Sequence, residues 1–284
     1  MKYGLPVVGL AIGALRLSTP QGPANADVQQ DLAKGSIIEG IKESGRFRVG
    51  VGSFQPWVMR GKNGDMIGFE VDVATKVAED MEAKAEFFPT AWDGIIPALL
   101  ARKFDVIISG MSITPKRALQ VNFSIPYAHT GSQLVCSKKL AAGMTSPADF
   151  NKAHIKIGGR RGASGSIVRE TYWPKAQHVL YDDNVHAYLD VVNGNLHCAG
   201  AAPPKGQFEV LKNPEMLFLP FENLLGKTDE AFVMRKGDPD AITFFNAWIQ
   251  YNTTQGFIPT RWKYWFTTFD WLDQVETSKY KVTK

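Results

Sequence analysis

Short apolar runs closed by glycine or proline alternate along this chain with stretches whose apolar residues recur at helical spacing. Phe47–Gly52 (FRVGVG) reads as a strand. Gly68–Ala78 leads into a helix, with Phe69, Val71, Val73 and Val77 partly on one face and Asp72 as the expected N-cap. Ala85–Pro89 is a short strand, Trp92–Leu100 opens a second helix with Asp93 as its expected cap, and Phe104–Ser109 is a largely apolar, buried strand. This strand–helix–strand–helix–strand order predicts a parallel sheet with right-handed crossovers.

The order then repeats. Strands are expected at Gln133–Cys136, Ile155–Gly158, Val179–Tyr181, Leu196–Ala199 and Ala231–Met234. Helices are expected at Ser164–Tyr172, Asn184–Val192 and Asp240–Tyr251, the last with Ile242, Phe245 and Ile249 on one face. The aromatic tail Trp262–Trp271 reads as a lid packed on a core. No Pro/Ser-rich linker separates the two units. The chain is expected to cross between them at Tyr127–Gly131 and at Leu225–Asp229, where short polar, glycine-containing stretches join apolar ones. Two crossings predict an α/β fold of two lobes on a double-crossover hinge, with ligand between the lobes. Lobe 1 is expected to take residues 27–129 and 229–284, and lobe 2 residues 130–228.

Composition narrows the class. The chain has 284 residues, 44% hydrophobic and 21% charged, an ordinary globular balance with room for two domains of roughly 100–150 residues. A formal charge of +4 is too small to make nucleic acid the default partner. Two cysteines rule out a disulfide-dense scaffold and a four-cysteine zinc site. Residues 1–26 read as a cleaved signal peptide: Lys2, an apolar Gly4–Leu15 of roughly 12 residues, too short to span a bilayer, and Ala24-Asn25-Ala26 as the cleavage site. The mature chain would carry 30 basic and 28 acidic residues, a charge of +2. No cysteine lies near the cut to carry a lipid anchor. The mature protein is expected to be exported to the periplasm.

Searches for catalytic and metal patterns mostly fail. The five histidines form neither HExxH nor HxH, there is no GxSxG elbow, and neither glycine-rich stretch completes a nucleotide fingerprint. No cofactor or metal is expected. One segment carries chemistry: Ser109-Gly110-Met111-Ser112-Ile113-Thr114-Pro115-Lys116-Arg117 follows a buried strand and opens a helix, with Thr114 as cap and Pro115 at the first helical position. Backbone N–H groups at a helix start favour an anion, and a hydroxyl at 112 with a guanidinium at 117 would add a carboxylate clamp.

This segment resembles type II periplasmic solute-binding proteins of the family that serves polar amino acid ABC transporters, the bacterial extracellular solute-binding proteins of family 3. The similar stretches are GRFRVGVGSFQPW, GDMIGFEVDVATKVA, AWDGIIPALLARKFDVIISGMSITPKRALQVNFSIPY and a weaker KIGGRRGASGS. They run in the family's order and cover most of residues 45–270. The resemblance implies that Arg117 grips a ligand α-carboxylate, that Ser109, Gly110 and Ser112 add backbone and hydroxyl contacts, and that Phe54 and Trp92 line or stack on the ligand. In lobe 2 the family's G-T-T turn appears as Gly162-Ala163-Ser164, where Ser164 is expected to cap the next helix. Ala163 replaces a hydroxyl, a loss of roughly 0.5–1.5 kcal/mol. The acid that the family sets against an α-ammonium falls at Ala202, a methyl group. Either another acid compensates, with Glu209, Glu222 and Asp229 as candidates, or the ligand has no ammonium.

The resemblance therefore implies a non-enzymatic, monomeric binding component of an ABC importer. It would capture an amino acid or related small carboxylate by hinge closure and deliver it to a permease in the inner membrane. The alternative is an exported dehydratase resembling cyclohexadienyl dehydratase on the same scaffold, which needs a general acid that the matched segments do not supply. A sensory input role would use the same binding chemistry with a separate partner. Cys136 and Cys198 would lie on neighbouring strands of lobe 2, where a disulfide and two buried thiols are both open.

Overall fold

The structure, a computed structural model, describes Met1, residues 35–268 and residues 270–275. The expected leader therefore lies, beyond Met1, outside the described residues, as does Phe269 of the aromatic tail. The described residues form two mixed sheets covered by helices.

In the first sheet the strand order is β4 (Lys84–Pro89), β1 (Arg46–Val51), β5 (Val106–Ile107), β13 (Val233–Met234) and β6 (Asn122–Phe123). β1 runs parallel to β4, from Arg46 opposite Lys84 to Val51 opposite Pro89, and parallel to β5. In the second the order is β11 (Leu217–Phe218), β7 (Ala128–Ser137), β10 (Cys198–Ala201), β8 (Lys156–Arg160) and β9 (Gln177–Tyr181), while β12 (Leu225–Glu230) pairs with β7. A two-residue hairpin, β2 (Met59–Arg60) with β3 (Met66–Ile67), stands apart.

The purely parallel sheet read from the sequence needs correction. β13 is antiparallel to β5 and β6, and β7 is antiparallel to β10, β11 and β12. The cause is the connectivity: β7 and β12 are the two passages between the sheets. They pair directly, Thr228 opposite Thr130 and Asp229 opposite His129, instead of being linked by a helical crossover. Leu225–Asp229 falls in this ribbon, as does Tyr127–Gly131 except for Tyr127, which precedes β7.

Helix starts also differ from expectation. The helix Phe69–Asp80 begins after Gly68, and Asp72 does not cap it. Its carboxylate instead accepts from Arg261 Nε at 2.8 Å and Trp265 Nε1 at 2.6 Å, which ties the late helix Phe257–Thr267 to the early one. Asp93 lies inside a single 3₁₀ turn, Trp92–Gly94, and the helix Ile95–Leu100 has no side-chain cap. The helix Ser164–Tyr172 has the expected bounds, but its cap is Ala163, and Ser164 is its first residue. The helix Pro115–Ala118 starts as read, with Pro115 at the first position and Thr114 Oγ1 accepting from Arg117 N at 3.3 Å. Thr114→Ala should therefore cost about 1 kcal/mol, checked by urea denaturation with an unchanged slope.

The aromatic tail joins the core. Phe69, fully buried, meets the rings of Trp57 at 5.9 Å, Trp262 at 5.4 Å and Phe266 at 5.5 Å. Trp262 stacks on Phe266 at 3.9 Å, and Trp265 and Trp271 are buried. Rings of this size remove large apolar areas from water. They thereby fix the floor on which the loops after β1, β4 and β5 are carried. Around the second sheet, Phe150, Ile155, Ile157 and Trp173 form one buried cluster, and Val135, Ala187, Tyr188, Val191 and Leu196 another. Cys136 and Cys198, opposite each other on β7 and β10, form a disulfide, which resolves the choice the sequence left open.

Candidate ligand-binding site

Loops at the ends of β1, β4 and β5 face β7, β12 and the start of the helix Ser164–Tyr172 across a cavity. The cavity has a volume of about 90 Å³ and is partly open to solvent. Phe54, Trp92, Ser109, Gly110, Ser112, Ala163, Ser164 and Ala202 all line it, whereas Arg117 and Gly162 lie outside its lining.

On the first side, Ser109 Oγ accepts from Gly52 N at 2.8 Å and so locks two loops together. Gly110 has φ +60°, a left-handed turn, and a Cβ there would come within 2.9 Å of the Trp57 ring. Its N–H donates to Tyr127 Oη at 3.2 Å, and Tyr127 donates in turn to Glu70 Oε1 at 2.6 Å. This buried relay holds the Gly110 backbone in place. Burial pushes the Glu70 carboxyl up to about 8, partly opposed by the Tyr127 hydrogen bond.

Hydrogen bonds span the cleft, among them Lys205 Nζ to Gln55 Oε1 at 3.2 Å. Ser112 Oγ lies 3.0 Å from Ser164 Oγ. Gly162 O accepts from both Arg117 Nη2 at 3.0 Å and Trp92 Nε1 at 3.3 Å. Arg160 Nη1 donates to Ser53 O at 3.2 Å. Arg117 also donates from Nη1 to Ser112 O at 2.7 Å, so its guanidinium is bonded to backbone carbonyls.

Three charged residues that the sequence reading did not single out line the cavity: Arg160, Arg169 and Glu230. Arg160 is 9% exposed and its guanidinium lies over both aromatic rings, 4.3 Å from Trp92 and 5.4 Å from Phe54. Arg169 is 4% exposed and donates from Nη2 to Ser166 Oγ at 2.9 Å. Its guanidinium fills space that side chains at Gly159 and Gly200 would take, since a Cβ on either would come within 2.6 Å of it. Burial lowers both guanidiniums to about 10, which leaves them charged at neutral pH. Glu230 Oε1 accepts from Thr228 Oγ1 at 2.8 Å and Ser112 Oγ at 3.4 Å, while Oε2 is buried without a partner. Burial raises its carboxyl to about 8, against the effect of those two bonds.

None of the three candidate acids takes the place that Ala202 leaves empty of charge. Glu209 pairs with Lys205 and Lys212, Asp229 pairs with His129 at 2.7 Å in an exposed position, and Glu222 is exposed. Glu230, the next residue after Asp229, points to the opposite side of β12 and so into the cavity. Strand alternation could have flagged it.

This geometry defines a two-lobed binding protein with its site between the lobes. The family model for bacterial extracellular solute-binding proteins, family 3, matches residues 47–268, and the chain belongs to that family. It is 32% identical over 167 residues to the ABC transporter arginine-binding protein 1 of Escherichia coli K12, a match covering 57% of this chain and 65% of that protein. The chain thus spans under two thirds of that relative's length. It is 24% identical to the cyclohexadienyl dehydratase of Pseudomonas aeruginosa, over 85% of this chain and 89% of the enzyme. Among solved structures, a binding component of an ABC transporter from Wolinella succinogenes, complexed with lysine, superposes with a TM-score of 0.76 at 32% identity, covering 81% of this chain and 99% of that one.

Proposed function

We propose that this protein is the substrate-binding component of an ABC importer. It captures an amino acid or related small carboxylate between its lobes and delivers it to a permease in the inner membrane. Lobe 1 comprises residues 27–129 and 229–284, lobe 2 residues 130–228, and the β7–β12 ribbon is the hinge. The protein acts as a monomer in the periplasm after loss of residues 1–26.

The observation that carries this reading is the set of bonds across the cleft rim. Arg117 and Trp92 from one lobe share Gly162 O of the other, so the lobes close over the cavity they line together. A ligand that touches both lobes stabilises the closed form. Arg117 serves both as a latch and, through its charge, as an attraction for a ligand carboxylate at the rim.

A thermal-shift screen of amino acids, keto acids, aromatic acids and dicarboxylates tests it. A true ligand at 100 times its Kd adds about 2.7 kcal/mol of stability, several degrees for a protein of this size. Arg117→Ala should weaken that ligand about tenfold or more, read by calorimetry. A protein stabilised by no small solute would rule the reading out.

One observation favours a second reading. Glu230 is a buried carboxyl held in its protonated form inside the cavity, and so supplies the general acid that the matched segments lack. Incubation with prephenate or arogenate distinguishes the two. Aromatic product that disappears in Glu230→Gln would establish a dehydratase, and its absence from the wild-type protein keeps the binding reading.

A further inference from the structure

We propose that the ligand of this cavity is a small dicarboxylate, held with one anionic group on Arg160 and the other on Arg169, and that cationic solutes are excluded. The proposal rests on the binding reading above and names its substrate class.

Its basis is the charge and geometry of the cavity wall. Neither arginine has a carboxylate within ion-pair distance among the described residues. Asp183 acts on Arg160, and Glu170 on Arg169, only at longer range. Each guanidinium makes a single hydrogen bond to the protein, to Ser53 O or to Ser166 Oγ, and each keeps a buried Nε without a partner. A desolvated cation with unused donors is costly unless an anion meets it. Glu230 is the one acid lining the cavity among the described residues. With its carboxyl raised to about 8, it is neutral at pH 7 and can donate a proton to a ligand oxygen. The lining thus sets two guanidiniums against a single carboxyl.

The aromatic rings support the same polarity. Phe54 and Trp92 form a cleft suited to a flat cation, but the protein's own Arg160 already lies over both of them. A ligand guanidinium or ammonium would have to displace that arginine and would then sit beside cations that no carboxylate neutralises at ion-pair distance. Ala202 offers it no counter-charge.

Titration calorimetry at pH 7 against glutarate, 2-oxoglutarate, glutamate, arginine and lysine tests the proposal. The dicarboxylates should bind at least tenfold more tightly than arginine or lysine. Comparison of glutarate and 2-oxoglutarate with glutamate shows whether an α-amino group is accepted. Arg160→Gln and Arg169→Gln should each weaken the dicarboxylate about 10- to 100-fold, with Arg160→Lys partly restoring binding. A variant outside the arginines guards against misfolding of those two: Ala202→Asp should weaken dicarboxylates without lowering the melting temperature. Binding of arginine or lysine with no dicarboxylate binding overturns the proposal and leaves the solute-binding reading intact. Turnover of prephenate, itself a dicarboxylate, would support the charge assignment while overturning that reading. A protein that binds nothing on the panel overturns the proposal, and one that is also stabilised by no solute of the thermal-shift screen overturns both.

Discussion

The melting temperature of the ligand-free protein should fall as pH is raised from 5 to 9, and Glu70→Gln should remove much of that fall. Glu70 is fully buried at the start of the helix Phe69–Asp80. One of its oxygens accepts from Tyr127 and the other has no partner. Burial moves its carboxyl from 4.5 to about 8. In that interval the folded protein holds a proton that the unfolded chain has released, so rising pH favours unfolding. The contribution is complete below about 4.5 and gone above about 8. The interval of about 3.5 pH units sets a ceiling of roughly 5 kcal/mol. Glu230, raised in the same direction, adds to the fall. Glu86 and Asp190 are shifted downward and act only in more acid solution. Glutamine keeps an acceptor for Tyr127 without a titrating proton. Calorimetric melts at pH 5, 7 and 9 give the comparison, and parallel profiles for the wild-type and Glu70→Gln proteins would show that Glu70 ionises normally in the folded state.

Loss of the disulfide should cost a similar amount. Cys136 and Cys198 are fully buried and close a loop with a sequence separation of 62. The loop-closure entropy of a chain that long corresponds to about 4 kcal/mol, a drop of roughly 10 °C. The double variant Cys136→Ala/Cys198→Ala tests this against the oxidised protein by thermal melting. A drop of only a degree or two would mean that the unfolded chain is already compact enough to make the bridge redundant. Because both sulfurs are buried, reductant should act slowly on the native protein and quickly once it is partly unfolded. A structural disulfide also suits the exported location proposed for the mature chain.

The extent of the regular elements was largely legible from short-range pattern. The helices Ser164–Tyr172 and Asn184–Val192 occupy the residues that their periodicity marks. Thr114 and Pro115 start a helix because cap and first-turn chemistry are local. Asp72 was misread for the converse reason: its carboxylate is drawn to Arg261 and Trp265, partners far along the chain that no local pattern reveals. The antiparallel strands followed from connectivity. A passage between sheets and a crossover helix leave similar short apolar runs.

The site divides the same way. Residues in the stretch Ser109–Ser112, with Phe54 and Trp92, lie at strand ends and are recognisable by motif. Arg160, Arg169 and Glu230 are not, because charged residues in a sequence look alike until the fold decides which are solvated. Arg161, one position from Arg160, faces the exposed Asp182, and Asp229, one position from Glu230, faces His129 at the surface. By itself, the sequence determined the two-lobed α/β class, the family and the segment that walls one side of the cleft, since periodicity and contiguous motifs encode these locally. Tertiary structure alone decided which charged side chains enter the cavity, and that its two arginines meet no carboxylate among the described residues. Burial and the absence of a neighbour are properties of packing between distant segments, and they turned a general carboxylate site into one built for two.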